Sequence, residues 1–361
     1  MSTIAVNAIT DANGGNTTSI NNTTPNAYNT VGKNLIINGA MQIAQRGTSS
    51  TSSGYQTVDR WNNSFGGASI TQTQQSLTSG SPFDAGFRNF ARMEVTTASN
   101  LAGDYAQFWH KIEAQNIANS GWNYKSPSSY ITLSFWARSS LAGTYSFFVR
   151  STDGTSQSFS HNFTLAADTW TKITKSIPGD SSIQIDNDNG VGFDVFIVPH
   201  YGTTYTTSGH TSDAWQTYSG SDIMTDFAQN WANTLNATFD VTGVQLEVGE
   251  SATEFEHRPY GTELSLCQRY YYKPSLSASV YLWCFSLDNY TGAHYRAVNV
   301  FFPSVMRTAP TGTVSGSTNG SFASGMPLVN FSSDHHIVIR ADTTSTAAYA
   351  YITSFTADAE L

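Results

Sequence analysis

The sequence predicts an all-β chain: a jelly-roll β-sandwich, preceded by an extended N-terminal arm and followed by a small C-terminal β domain. Short runs of alternating apolar and polar residues recur from Ile131 to Phe355, and an extended strand turns successive side chains to opposite faces. Turn signals such as Asp153-Gly154 and Pro178-Gly179-Asp180 separate the runs. Only 12% of the chain is charged while 13% is aromatic, which excludes a coiled coil or helical bundle as well as intrinsic disorder.

At about 100 to 200 residues per domain, 361 residues suggest two domains and an appended segment. Residues 1–32 hold few apolar anchors (Ile4, Val6, Ile9, Ile20, Tyr28 and Val31) among Asn, Thr, Ser and Gly. A segment that cannot build a core gains order by packing on a partner, so it reads as a docking arm. Residues 33–260 carry the sandwich. Ile131 to Arg138 puts Leu133 and Phe135 on one face and Trp136 on the other, and Tyr145–Arg150, Phe159–Leu165, Trp170–Ile177, Ile183–Ile185, Val191–Val198 and Ala237–Val248 follow the same logic. Within Ser221–Leu235, Ile223, Phe227, Trp231 and Leu235 recur every fourth residue behind a possible Ser221 or Asp222 cap, which predicts a short helix. Residues 261–361 form the second β unit, opening on Tyr270-Tyr271-Tyr272 with strands over Val280–Phe285, His294–Phe302, His336–Arg340 and Ala348–Phe355.

Charge and motifs narrow the function. A net charge of −9 with 17 scattered Lys and Arg offers no basic stripe for phosphates, so nucleic acid is excluded as a partner. No apolar run reaches the ~18 residues needed to cross a bilayer, and Met1 to Asn7 lacks the cationic start of a secretory signal. Cys267 and Cys284 read as free core thiols, since neither Cys nor His shows zinc spacing. His335 and His336 fall on opposite faces of a strand and do not share a metal.

Three segments carry a family resemblance. The first is Asn34-Leu35-Ile36-Ile37-Asn38-Gly39-Ala40-Met41-Gln42-Ile43-Ala44-Gln45-Arg46-Gly47 with Asp59-Arg60-Trp61. The second is Val244-Gln245-Leu246-Glu247-Val248-Gly249 running through His257-Arg258-Pro259-Tyr260 to Tyr272, and the third is Pro303 to Pro310. They resemble bacteriophage tail-fibre and related virion structural proteins, while Ser129–Arg138 and Ala166–Thr174 look like a carbohydrate-binding-module jelly roll. The resemblance implies a non-enzymatic virion protein, assembled in the host cytoplasm as a homotrimer. It would dock on phage tail or capsid proteins through residues 1–32 and present β domains to a host cell-surface glycan. The alternatives are a polysaccharide depolymerase tailspike, or a capsid decoration, head-fibre or adaptor protein with no receptor role.

The stretch between Pro199 and Ser221 has no apolar periodicity, and long loops in compact domains usually serve function. Tyr201, Tyr205, His210, Asp213, Trp215 and Tyr218 lie in it among hydroxyls and amides, the mix of aromatic faces and polar groups that holds a sugar ring. These six are the candidate glycan-binding residues. Asp186 and Asp188, in Asp186-Asn187-Asp188-Asn189-Gly190, are candidates for a structural Ca²⁺, although the EF-hand template fails at Gly190 and Ile197. Neither a Gly-x-Ser-x-Gly elbow nor a convincing carboxylate pair is present, and Glu254 and Glu256 read as strand alternation; no catalytic residue is expected. Arg60-Trp61 and His257 to Tyr260 are expected to close an edge of the sandwich.

Overall fold

The computed structural model describes residues 32–274, 280–282, 294–319, 327–343 and 349–361. The arm through residue 31, the 283–285 end of one expected strand, Cys284 and Ala348 lie outside the described residues. Sandwich strands run β1 (Ser49–Ser50), β2 (Trp61–Gly66), β3 (Ser69–Ser76), β4 (Asn89–Thr97), β5 (Tyr105–Glu113), β6 (Tyr130–Ser139), β7 (Gly143–Ser151), β8 (Gln157–Leu165), β9 (Thr171–Pro178), β10 (Val191–Tyr201), β11 (Trp215–Thr217) and β12 (Thr238–Val248). Helical turns α1 (Ser81–Asp84) and α2 (Ala114–Ala118) punctuate them, and α3 (Tyr260–Gln268) leads out of the sandwich. Among the described residues no helix is long and apolar enough to cross a membrane.

Two six-stranded antiparallel sheets, β1-β3-β4-β12-β6-β9 and β11-β8-β7-β10-β5-β2, face each other. Phe108, Phe147 and Phe193 of one sheet interleave with Ile131, Phe135 and Phe239 of the other to form the main core. Leu133 and Phe135 point into it while Trp136 packs on the opposite face, as the alternation predicts. The run Ile183–Ile185 is reduced to one isolated bridge between Gln184 and Asp153.

The expected helix over Ser221–Leu235 is absent; turns and bends replace it. Its would-be caps are engaged elsewhere. Asp222 binds the His210 ring, Asp226 accepts from the Thr206 hydroxyl, and the Ile223 N–H donates to Tyr205 O. Two of the apolar residues bury in different directions, Trp231 in the main core and Ile223 in a cluster on the outer face of β10, while Leu235 is exposed. Tertiary pairing overrides a four-residue periodicity that short polar side chains leave weak.

The C-terminal unit comprises β13 (Tyr271–Tyr272), β14 (Val280–Leu282), β15 (His294–Phe301), β16 (Thr311–Asn319), β17 (Leu328–Ser332), β18 (His336–Thr343) and β19 (Tyr349–Asp358). β19 pairs with β16 along one side and with β13 and β14 along the other, and β15-β18-β17 form a second sheet. Ile337, Ile339, Ile352 and Phe355 fill the small core between them.

The two units meet across a buried ionic clasp built from the recognisable segments. Arg60 is fully buried; its guanidinium lies 3.5 Å from the centroid of the Tyr270 ring, Nη1 pairs with Glu360, and Nη2 donates to Lys111 O at 2.6 Å. Arg46 sits 3.6 Å over the Tyr271 ring and faces Asp358 at 3.1 Å and Glu360 at 3.3 Å. Glu113 binds Arg269 through both oxygens, at 2.7 and 2.8 Å, and accepts the Tyr270 hydroxyl. Burial pushes the Asp59 carboxyl up to about 6, against the pull of Gln45 and Arg46. Cys267 is a free thiol buried beside this clasp.

Asn38 explains the Asn-Gly step in the first segment. Its φ of 59° is left-handed, and its side-chain amide accepts from the Gln42 and Ile43 N–H groups while donating to Ile43 O and Asp59 O. A Cβ on Gly39 would lie 2.0 Å from Val244 O, so only glycine lets this turn touch β12.

Removing one partner of a buried pair leaves an uncompensated charge, so Arg60→Ala should cost about 3–5 kcal/mol in urea unfolding. The paired Arg60→Met, Glu360→Leu variant should recover most of that loss. A single substitution indistinguishable from wild type would show that the clasp does not hold the units together.

Candidate functional site

An aromatic cleft of about 390 Å³ lies on the outer face of the second sheet, over β5, β7 and β10. Its floor follows from strand register. Phe196 on β10 stands opposite Trp109 on β5 and Phe148 on β7. The three rings form a continuous row: Trp109 and Phe196 have centroids 5.0 Å apart at 22°, and Phe148 and Phe196 4.1 Å apart at 5°. Two residues further along, Asp194 stands opposite both Lys111 and Arg150. A row of charges thus runs beside the row of rings.

Asp194 is fully buried and holds the floor rigid. It accepts the Trp109 indole N–H at 2.9 Å and the Arg150 Nε and Nη2 at 3.0 and 2.6 Å. Burial pushes its carboxyl upward, and Arg150, Trp109 and Lys111 pull it back. Burial likewise draws the Lys111 ammonium down; that group lies 4.2 Å over the Trp109 ring and donates to Leu361 O. Arg150 lies 4.8 Å from the Tyr218 ring centroid.

The wall comes from the segment after β10. Tyr201 packs in the cluster with Phe148 and Phe196, and its hydroxyl donates to Gln107 Oε1. Tyr205 meets Tyr201 at 5.3 Å and Tyr105 edge-on at 6.0 Å. Backbone bonds fix this wall: Tyr205 N donates to Gly202 O and Ile223 N to Tyr205 O. Among the described residues the hydroxyls of Tyr105, Tyr205 and Tyr218 and the amide nitrogen of Gln107 have no protein partner. Flat apolar rings next to unpaired donors and acceptors suit a ligand with apolar C–H faces and many hydroxyls.

Of the six residues singled out from the sequence, the structure brings Tyr201, Tyr205 and Tyr218 together here. His210, Asp213 and Trp215 are elsewhere. His210 is buried between Ser160 Oγ at 2.7 Å and Asp222 at 2.9 Å, pinning the loop to β8. Asp213 pairs with His161 at 2.7 Å and Lys175 at 2.9 Å. Trp215 belongs to β11, where period-two alternation turns its ring inward onto Phe159 and Phe193, and its indole N–H donates to Pro178 O at 2.7 Å. The loop reading failed there because three residues of the stretch pair as a strand.

The residues that the sequence reading missed, Trp109, Phe148, Arg150 and Phe196, lie on strands. Adjacent aromatics at Phe108-Trp109 and Phe147-Phe148 were the available signal, since two neighbours on a strand cannot both face one core. Asp186 and Asp188 occupy the β9–β10 turn, where Asp188 Oδ1 accepts the Gly190 N–H at 2.8 Å and Asp186 Oδ1 the Gln184 amide at 3.4 Å. Among the described residues no three His, Cys, Asp or Glu side chains gather in a metal-holding group.

A larger groove, of about 960 Å³, runs between Gly32–Ile37, α2 and the His257–Leu266 segment. Its carboxylate, Glu256, is already committed, its two oxygens accepting the Gly32 and Asn34 N–H groups, and its lining holds no Phe, Tyr or Trp. The smaller aromatic cleft is therefore the candidate site.

No protein-family model matches the chain, and no curated protein does. Among solved structures it is similar to the enzymatically active domain of tailspike protein 4 from bacteriophage CBA120, at 14% identity and a TM-score of 0.34, covering 60% of this chain and 22% of that one. The chain thus spans about a fifth of that tailspike domain. It is also similar to a sugar-binding protein of Bacteroides thetaiotaomicron, at 11% identity over 60% of this chain and 100% of the other with a TM-score of 0.30. A family 11 carbohydrate-binding module from Clostridium thermocellum matches at 12% identity over 55% and 95%, with a TM-score of 0.28. At these scores the fold rests on the strand order described above, and no residue role is carried across.

Trp215→Ala should destabilise the sandwich by about 2–4 kcal/mol, because it removes a partly buried ring packed against the core and its indole bond to Pro178, whereas Tyr205→Ala should cost less than about 1 kcal/mol as a wall residue. Denaturant midpoints of the two variants measure this, and the reverse order would place Trp215 outside the core.

Proposed function

We propose that this chain is a non-enzymatic glycan-binding protein that holds a polysaccharide in the cleft between Trp109 and the Tyr105, Tyr205 and Tyr218 rings. The observation that carries the reading is the cleft itself: the half-exposed rings of Trp109, Tyr105, Tyr205 and Tyr218 gather over a buried Phe148–Phe196 stack, on the side of the sheet away from the main core. Half-exposed rings, with Tyr hydroxyls and the Gln107 amide unpaired beside them, favour a ligand that offers both C–H faces and hydroxyls. Hydrolysis is disfavoured because it needs two carboxylates across the cleft, and the cleft lining contains none; the one beneath, Asp194, is spent on Arg150 and Trp109.

The sequence resemblance to tail-fibre and virion structural proteins supplies the setting. In this reading the protein is a homotrimeric virion appendage, residues 1–32 dock on tail or capsid, and the cleft engages a host-surface glycan.

Native electrophoresis in gels containing soluble polysaccharides tests the cleft. At least one polysaccharide should retard the chain, and Tyr205→Ala and Tyr218→Ala should each weaken binding by about 10- to 100-fold, the loss of 1–3 kcal/mol of aromatic contact, with unchanged melting temperature. Retardation that survives both substitutions would move the site away from this cleft.

A further inference from the structure

The glycan-binding reading leaves open what kind of sugar the cleft takes, and the charge row beside the rings bears on it. Lys111, Asp194 and Arg150 stand directly opposite one another on three adjacent strands, two cations around one carboxylate. The carboxylate is fully buried beneath the floor, while Arg150 keeps 20% of its side chain exposed and lines the cleft. Both Arg150 contacts to Asp194 use Nε and Nη2, so Nη1 has no partner among the described residues. The Lys111 ammonium lies over the outer ring of the aromatic row, with Leu361 O as its acceptor. No Asp or Glu joins the lining. The Arg150 guanidinium therefore sits nearer the ligand space than the anion that balances it.

A guanidinium fixed along one edge still offers its other end to a planar oxyanion, and a bond between two charged groups is about twice as strong as a neutral one. Resting on the glycan-binding reading above, we infer that the cleft selects a carboxylated polysaccharide, a polymer of uronic acids, with Arg150 as the residue that reads the carboxylate. The rings take the C–H faces of the sugars and Arg150 sets the charge specificity.

The full chain is tested by affinity electrophoresis at low salt against polygalacturonate, alginate and hyaluronan, each paired with its carboxyl-reduced form and run beside a set of natively neutral polysaccharides. At least one acidic polymer should bind about tenfold or more tightly than its reduced counterpart, the worth of one charge-assisted contact. The double variant Arg150→Gln, Asp194→Asn, which removes both charges and strands neither, should bring the pair to within about twofold, whereas Tyr205→Ala should weaken both forms alike. The wild-type comparison stands even where the double variant fails to fold. Equal binding of every pair, a preference for the reduced forms, or binding confined to the native neutral polymers overturns the inference and leaves the glycan reading intact. Binding to no polysaccharide at all overturns both.

Discussion

A guanidinium stripped of water has to be answered by the protein around it, and the architecture of this chain turns on how Arg60 is answered. Burying an isolated cation costs several kcal/mol even after relaxation. Here the answer comes from parts of the chain that share no strand: the Tyr270 ring, the Glu360 carboxylate and a β5 carbonyl. Each must be in place for the others to be tolerable. The same residues draw in further partners, since Tyr270 donates to Glu113, Glu113 holds Arg269, and Glu360 also faces Arg46. The sandwich and the small domain are thus joined by this ionic network together with the apolar cluster of Ile37, Ile43, Cys267, Tyr270 and Leu361. This explains why sequence features around Asn38, Asp59-Arg60-Trp61 and Tyr270, far apart in the chain, are so unlike ordinary strand sequence.

A second constraint shapes the cleft. Strands β5, β7 and β10 lie in the middle of a sheet covered on both faces, so they carry aromatics on both. One set closes the sandwich. The other packs beneath the Tyr201–Tyr218 wall, with Phe148 and Phe196 buried and Trp109 half-exposed, and the buried Asp194 ties two of the strands to one another through Trp109 and Arg150. Core and cleft are opposite sides of the same three strands, so the rigidity that stabilises one pre-organises the other.

Period-two alternation made the strands from Tyr130 to Val248 legible, because burial on one face leaves a regular trace. The strands Trp61–Gly66, Ser69–Ser76 and Asn89–Thr97 were less so: Asn63 and Gln72 are buried polar residues, the Asn63 amide donating to Gln72 Oε1, and such pairs erase the pattern a core normally writes. The Ser221–Leu235 segment carried a helical period with no helix, since Ile223 and Trp231 anchor to separate clusters and Leu235 to none. Three of the six loop residues chosen from composition reach the cleft, yet the floor was invisible, because facing rings on β5, β7 and β10 become neighbours only once strand register is known. Trp215 shows the opposite error, a loop-like context hiding a short paired strand.

The 300 residues between Arg60 and Glu360 also fix an order of events. Contacts of such separation pay the largest loop-closure entropy and form late. During synthesis the sandwich strands are all available before Glu360 exists, so the Arg60 cation passes through an interval in which its pocket is open to water and its counter-charge is still to be made. Docking of the small domain closes that interval by bringing the Glu360 carboxylate to the buried Arg60.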